Sequence, residues 1–248
     1  MNRLASLCVL LLALNGCNPW IADGVRKRDI KRDIELVTNK GSIIFRLYDN
    51  TPQHRNNFLK LVNQSYYDSV IFHRVINNFL IQTGDPDSKR ANSKAVLGNG
   101  ELPYMIPAEI NPENFHKRGA VNAARTGDLE NPEQASSSTQ FTFIQRKPLS
   151  DSLINVGERR INYYKAYNRV VRNPANKKLV NRLRQLINSE TKNDSISVLE
   201  SKLNELAKVE QAQMVPYRIP EAHRQVYKTI GGTPHLDHGG VIYLRSKY

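Results

Sequence analysis

The chain has 248 residues, with 36 lysines and arginines against 23 aspartates and glutamates, a net charge of +13 and 40% hydrophobic residues. That apolar content excludes a disordered polymer and supports one main folded domain with an addition. No zinc-ligand spacing, RNP-type aromatic pair or helix-turn-helix pattern accompanies the basic charge, so nucleic acid is not an expected partner, and an anionic membrane surface suits it equally well.

Arg3 precedes the apolar run LASLCVLLLAL, which is too short to span a bilayer and right for a signal-peptide core. The run ends in Leu14-Asn15-Gly16-Cys17, which resembles a bacterial lipobox. The resemblance implies a discarded signal peptide over residues 1–16 and lipid, palmitate included, on Cys17, since buried acyl chains supply anchoring free energy. It further implies a protein of the cell envelope, held to a membrane and facing the periplasm or the exterior. Cys8 falls in the discarded part, so the mature chain has no disulfide framework and no thiolate metal site.

Residues 17–32 are polar, basic and poorly patterned, and read as a tether. DIELVTN and GSIIFRLY, rich in β-branched residues around Asn39-Lys40-Gly41, read as a β-hairpin. Thr51 and Pro52 offer an N-cap and a first helical residue ahead of Phe58, Leu61 and Val62 at helical spacing. VIFHRVINNFLIQ returns to strand character, and residues 84–110 form a long loop punctuated by Gly and Pro. GAVNAAR and STQFTFIQ read as further strands. From Gly157 to Met214 two helical stripes stand out, Leu179, Leu183 and Leu186, then Leu199, Leu203 and Leu206. Gly157 to Glu210 holds 12 basic against 6 acidic residues. Such a segment is a solvated helical face or a docking element for anionic lipid or an acidic client. Pro220–Ile230 reads as a short helix stopped by Gly231-Gly232, before a last strand-like run.

YYDSVIFHRVINNFLIQTGDPD closely resembles the signature of cyclophilins, the peptidyl-prolyl cis-trans isomerases. IPAEI, NFHKRGAVNAAR, SSSTQF and GGTPHLD match further family motifs in the family's order. The resemblance implies a mainly β fold, an antiparallel β-barrel with flanking helices and an outer groove for proline. It divides the chain into barrel parts at 33–156 and 215–248 around an inserted helical segment at 157–214. It gives Arg74 the catalytic role and Gln82 the orienting of substrate backbone, with Phe79 and Leu80 as walls. Ala124 and Arg125 align with the backbone-binding alanine and its successor, Gln140 with the groove glutamine and Leu236 with the far wall. The mechanism requires no cofactor and no metal. His73 reads as a packing residue, and His235 and His238 as loop histidines, since no carboxylate or cysteine cluster joins them.

This sequence departs from the family pattern at four places. The aromatic floor of the proline pocket falls on Thr142, so the pocket is shallower and more polar, or Phe143 compensates through a one-residue slip that would flip it to the other face. The groove histidine falls on Gly240, removing a wall and a donor. Thr83 replaces a usual glycine. After VIYL the family continues with a helix and a closing strand, where this sequence offers RSKY. The expected function is acceleration of Xaa-Pro rotation in unfolded or extended exported polypeptides. The alternative is a degenerate module that binds proline-containing chains without useful turnover.

Overall fold

The computed structural model describes residues 20–189 and 194–246. Cys17 and the apolar run before it lie outside the described residues, as do residues 190–193. In chain order the elements are β1 (Trp20–Ala22), β2 (Val25–Arg26), β3 (Ile34–Thr38), β4 (Gly41–Leu47) and α1 (Pro52–Asn63). Then come β5 (Arg74–Ile76), β6 (Leu80–Thr83), β7 (Met105–Ile106), β8 (Ala120–Ala123), β9 (Ser136–Ser137) and β10 (Phe141–Ile144). The helices α2 (Asp151–Arg172), α3 (Lys177–Asn188), α4 (Asp194–Gln213) and α5 (Glu221–Thr229) follow, and a 3-10 turn at Pro234–His238 leads to β11 (Ile242–Ser246). None of the described helices is long and apolar enough to cross a membrane.

Seven strands form one antiparallel sheet in the order β3-β4-β11-β8-β10-β6-β5. The hairpin expected around Asn39-Lys40-Gly41 is β3 and β4, with Thr38 opposite Gly41. Among the described residues β3 and β5 are the edge strands and do not pair with each other, so the sheet does not close into a barrel there. Beside β3 lies a recess of about 840 Å³ lined by Leu36, Phe45, Phe58, Tyr67 and Phe72.

One face of the sheet carries the main core. Phe45, Phe141 and Phe143 are at most 2% exposed and pack on Phe58 and Leu59 of α1. Burial of each such side chain contributes about 1.5–3 kcal/mol. Phe141 meets Phe58 edge to face at 5.4 Å between ring centroids, a favoured aromatic arrangement. Strand side chains alternate between faces, so Thr142 and Ile144 point the opposite way from Phe141 and Phe143.

Three expectations about local structure need correction. The tether is partly folded: β1 and β2 pair, Val25 is fully buried in the main core, and Lys60 of α1 holds Asp23 at 2.6 Å. The helical run starts at Asp151 rather than Gly157, with Ser150 accepting from the Leu153 N–H. Thr51 stands at the N-cap of α1, but its hydroxyl makes no capping bond. Glu109 caps the helix instead, its carboxylate accepting from the Gln53 and His54 N–H groups at 3.0 and 2.9 Å.

The helices fill the long excursion between β10 and β11. Leu183 and Leu203, one from each predicted leucine stripe, are fully buried in a cluster with Val170, Val180 and Ala207. The first half of α2 packs elsewhere, with Ile154 and Ile161 against Phe115, Ile219 and Tyr227. Buried Glu158 fastens this region by accepting from the Ile219 N–H and from Arg218.

The α1 cap generates two predictions. Glu109→Ala removes a charged acceptor from two backbone N–H groups and from His54 Nδ1, 2.6 Å away. It should cost about 2–4 kcal/mol, read from urea unfolding midpoints, and an unchanged midpoint would refute the cap. Burial lowers the pKa of His54 by more than Glu109 raises it. The unfolded chain then takes up the proton first, so stability present above pH 6.5 is lost as pH falls below it. The midpoint should fall between pH 7.5 and 5.5, and fall less in His54→Gln; equal slopes in both proteins would count against the assignment.

Candidate active site

The register of four strands builds the site. Arg74 on β5 pairs with Gln82 on β6, Gln82 with Thr142 on β10, and Thr142 with Asn122 on β8. Residues paired across a sheet share a face, so these four form one row on the face opposite the phenylalanine core. The row lies along a cleft of about 410 Å³ whose apolar walls include Phe79, Leu80 and Leu236. The larger recess beside β3 gathers no comparable row of polar groups.

Hydrogen bonds fix the row at its Arg74 end. Arg74 donates to Gln82 Oε1 at 3.3 Å, which turns the Gln82 amide so that its nitrogen donates to Gln140 Oε1 at 2.9 Å. Gln140 in turn donates to the carbonyls of Gly98 and Gly100 at 3.0 and 2.9 Å. That loop is held by Asp85, fully buried, which accepts from the N–H groups of Asp87, Gly98 and Gly100. Gly84 before it stands at φ +96°, against the backbone of Thr139, where any side chain would clash. Thr83 is accommodated in the usual glycine's place, buried and donating to the Ile71 carbonyl.

The open questions about the pocket floor resolve in favour of Thr142. Phe143 is in the core, 5.8 Å from the Phe45 ring, and pairs with Ile81 and Val121 in the unslipped register. Thr142 lines the cleft, its hydroxyl 3.5 Å from the Asn122 carbonyl oxygen.

Gly240 does not leave an empty wall, which corrects that expectation. A Cβ there would sit 2.4 Å from the His116 ring and 2.8 Å from Asn122 Oδ1, so His116 occupies the space. His116 is fully buried, its Nδ1 2.7 Å from Asp237 Oδ1, while its Nε2 and Asn122 Oδ1 are buried without a partner.

Ala124 and Arg125 both line the cleft. The Ala124 N–H and C=O bond within the protein, to the Gln140 carbonyl and the Ser137 N–H. Among the described residues, neither the N–H nor the C=O of Arg125 pairs with another backbone group. The Arg125 guanidinium is committed to Asp128, the Gly239 and Thr126 carbonyls and His238.

His235, His238 and His73 are packing groups with depressed pKa values. His235 lies stacked on Phe79 at 6.0 Å, and burial, then the positive charges of Arg160 and Arg146, lower it to about 4. Burial also lowers His238 and His73. Among the described residues no three His, Cys, Asp or Glu side chains gather as a metal site. Sequence reasoning missed His116, Asn122, Tyr164 and Tyr167, all on the cleft. Asn122 was within reach, since alternation from the buried Val121 and Ala123 puts it on the outer face. The two tyrosines carried no local signal.

The chain is similar to known proteins. A peptidyl-prolyl cis-trans isomerase, so named, of Staphylococcus haemolyticus is 31% identical over 138 residues, 55% of this chain and 63% of that protein. One of Staphylococcus epidermidis is 30% identical, over 55% of this chain and 64% of its own length. The chain thus spans less than two thirds of these relatives. A solved cyclophilin type peptidyl-prolyl cis-trans isomerase of Cryptosporidium parvum is 31% identical over 46% of this chain and 67% of its own, with a TM-score of 0.39. The family model for cyclophilin type peptidyl-prolyl cis-trans isomerase/CLD matches residues 33–200, more than half of the sequence, and this chain belongs to that family.

Proposed function

We propose that this protein is a prolyl isomerase that binds extended, proline-containing polypeptide in the cleft and accelerates rotation about the Xaa-Pro bond. The observation that carries the reading is the row Arg74, Gln82, Thr142 and Asn122 along a cleft with apolar walls. The amide resists rotation because nitrogen donates its lone pair into the carbonyl, with a barrier of about 18–20 kcal/mol. In the twisted transition state that lone pair returns to nitrogen and can accept a hydrogen bond. Arg74 supplies the donor: one of its N–H groups is spent on Gln82, and the rest of the fork remains for substrate. A donor fixed beforehand stabilises the transition state more than the planar ground state. No proton is transferred and no covalent intermediate forms.

The same reading makes the seven-stranded sheet the family's barrel unit and α2–α4 an insertion in it. The excursion between Ile144 and Ile242 and the separate apolar cluster of these helices support that division. It places the protein at the cell envelope, lipid-anchored through Cys17 and aiding the folding of exported chains; Leu14 to Cys17 is the supporting feature. One observation favours a second reading, a binding module without useful turnover: the pocket floor is Thr142, which offers a proline ring less apolar contact than an aromatic floor.

Exchange spectroscopy on a short Xaa-Pro peptide separates the two readings. Arg74→Ala should lower the catalysed rate about 10²–10³-fold with little change in peptide affinity, and Arg74→Lys should lie between. Binding without acceleration by the parent protein would replace the enzyme reading with the binding-module one. The rate should also stay level from pH 6.5 to 8.5, because arginine remains charged there and His235, at about 4, remains neutral. A step near pH 7 would show that a histidine takes part.

A further inference from the structure

Helix α2 contributes to the cleft itself. Tyr164 and Tyr167, one turn apart, line the same cavity as Arg74, Phe79 and Leu80. Tyr164 lies on the His238 ring, 4.6 Å between centroids and 27° between planes. The helix is held there firmly. A Cβ at Gly157 would meet Pro234 at 3.0 Å, so this glycine lets α2 approach the 3-10 turn that carries Leu236. Asn168 donates to the Pro132 carbonyl at 2.9 Å, and Arg184 of α3 to the Leu129 carbonyl at 2.6 Å. The helices thereby clamp residues 127–134, the rim at this end of the cleft.

Charge differs between the two ends. Around Phe79 stand Arg74, Arg146 and Arg160, the last two acting on His235. Around Tyr167 the charge is negative. Glu130 is exposed and, among the described residues, has no ion pair or hydrogen-bond partner; its Oε2 is 3.4 Å from where a Cβ on Gly127, a cleft residue, would sit. Of the arginines at this end, Arg125 has its charge met by Asp128 at 2.7 Å and Arg184 is turned to the Leu129 carbonyl. Burial, followed by Tyr163, Glu130, Glu200 and Asp128, pushes the Tyr167 phenol up to about 12. In a protein of net charge +13, two aromatic rings beside an unpaired carboxylate form a local receptor for a cation.

We propose that Tyr164, Tyr167 and Glu130 form a second subsite of the groove, which selects polypeptides carrying lysine or arginine near the proline. The inference rests on reading the cleft as a proline-peptide groove. A cation over a tyrosine face is favoured and an anion disfavoured, and Glu130 reinforces both preferences.

The test uses the full described protein and fluorescent peptides of one length, with lysine, norleucine or glutamate two residues before or after the proline. Affinity is read by anisotropy and isomerisation by exchange spectroscopy. The lysine peptide on one side of the proline should bind about 2- to 30-fold more tightly than its norleucine counterpart. Glutamate should bind more weakly than norleucine, and added salt should narrow the spread. Glu130→Gln and Tyr167→Leu should each shrink the lysine-to-glutamate ratio while the norleucine peptide still binds. Equal affinities for all three peptides in the parent, or a ratio unmoved in both variants, would overturn the subsite. In either case binding and isomerisation of the norleucine peptide would leave the groove reading standing, whereas a parent that binds none of the peptides would sink both.

Discussion

The Asp237 carboxylate accepts from the His116 N–H at 2.9 Å and from the Tyr227 hydroxyl at 2.6 Å, and lies 2.7 Å from His116 Nδ1. These contacts join three stretches that are distant in sequence: the loop before β8, helix α5, and the turn leading into β11. The backbone adds its own fastening, with the Thr233 N–H donating to the His116 carbonyl at 2.7 Å and Lys117 bridged to Gly232. Gly231 and Gly232 permit that approach, because side chains there would collide with the backbone of Arg146, Lys147 and His116. A chain that has left the sheet for four helices thus re-enters at one defined place. Leu236 and His238 reach the cleft only because that re-entry is fixed. Burial drives Tyr227 strongly towards its neutral form, which keeps its hydroxyl a donor to Asp237.

Much of the site was legible because it depends on alternation. Phe141 and Phe143 must share a face, so Thr142 must take the other, and pairing with Gln82 brings it into line with Arg74. The same rule made the slipped register expensive, and the structure keeps the unslipped one. Hairpin β3–β4 was equally plain, since its β-branched runs flank a short turn with Gly41 at φ +119°.

What escaped reading has a common physical origin: partners far apart in sequence. Thr51 looked like the cap of α1, but the capping carboxylate comes from Glu109, 55 residues on from His54. Gly240 looked like a lost histidine, because nothing local says that His116 fills its space. Nothing local says that the Arg125 guanidinium meets Gly239 and His238, 114 and 113 residues on. Residues 18–32 looked featureless because the described part, from Trp20 on, takes its order from α1, through Val25 in the main core and Asn63 donating to the Gly24 carbonyl at 2.8 Å.

That last docking fixes the polarity of the whole body. Strands β1 and β2 sit on α1, α1 covers the phenylalanine face of the sheet, and the cleft opens on the reverse face. The chain thus enters the described fold on the helix side, away from the cleft.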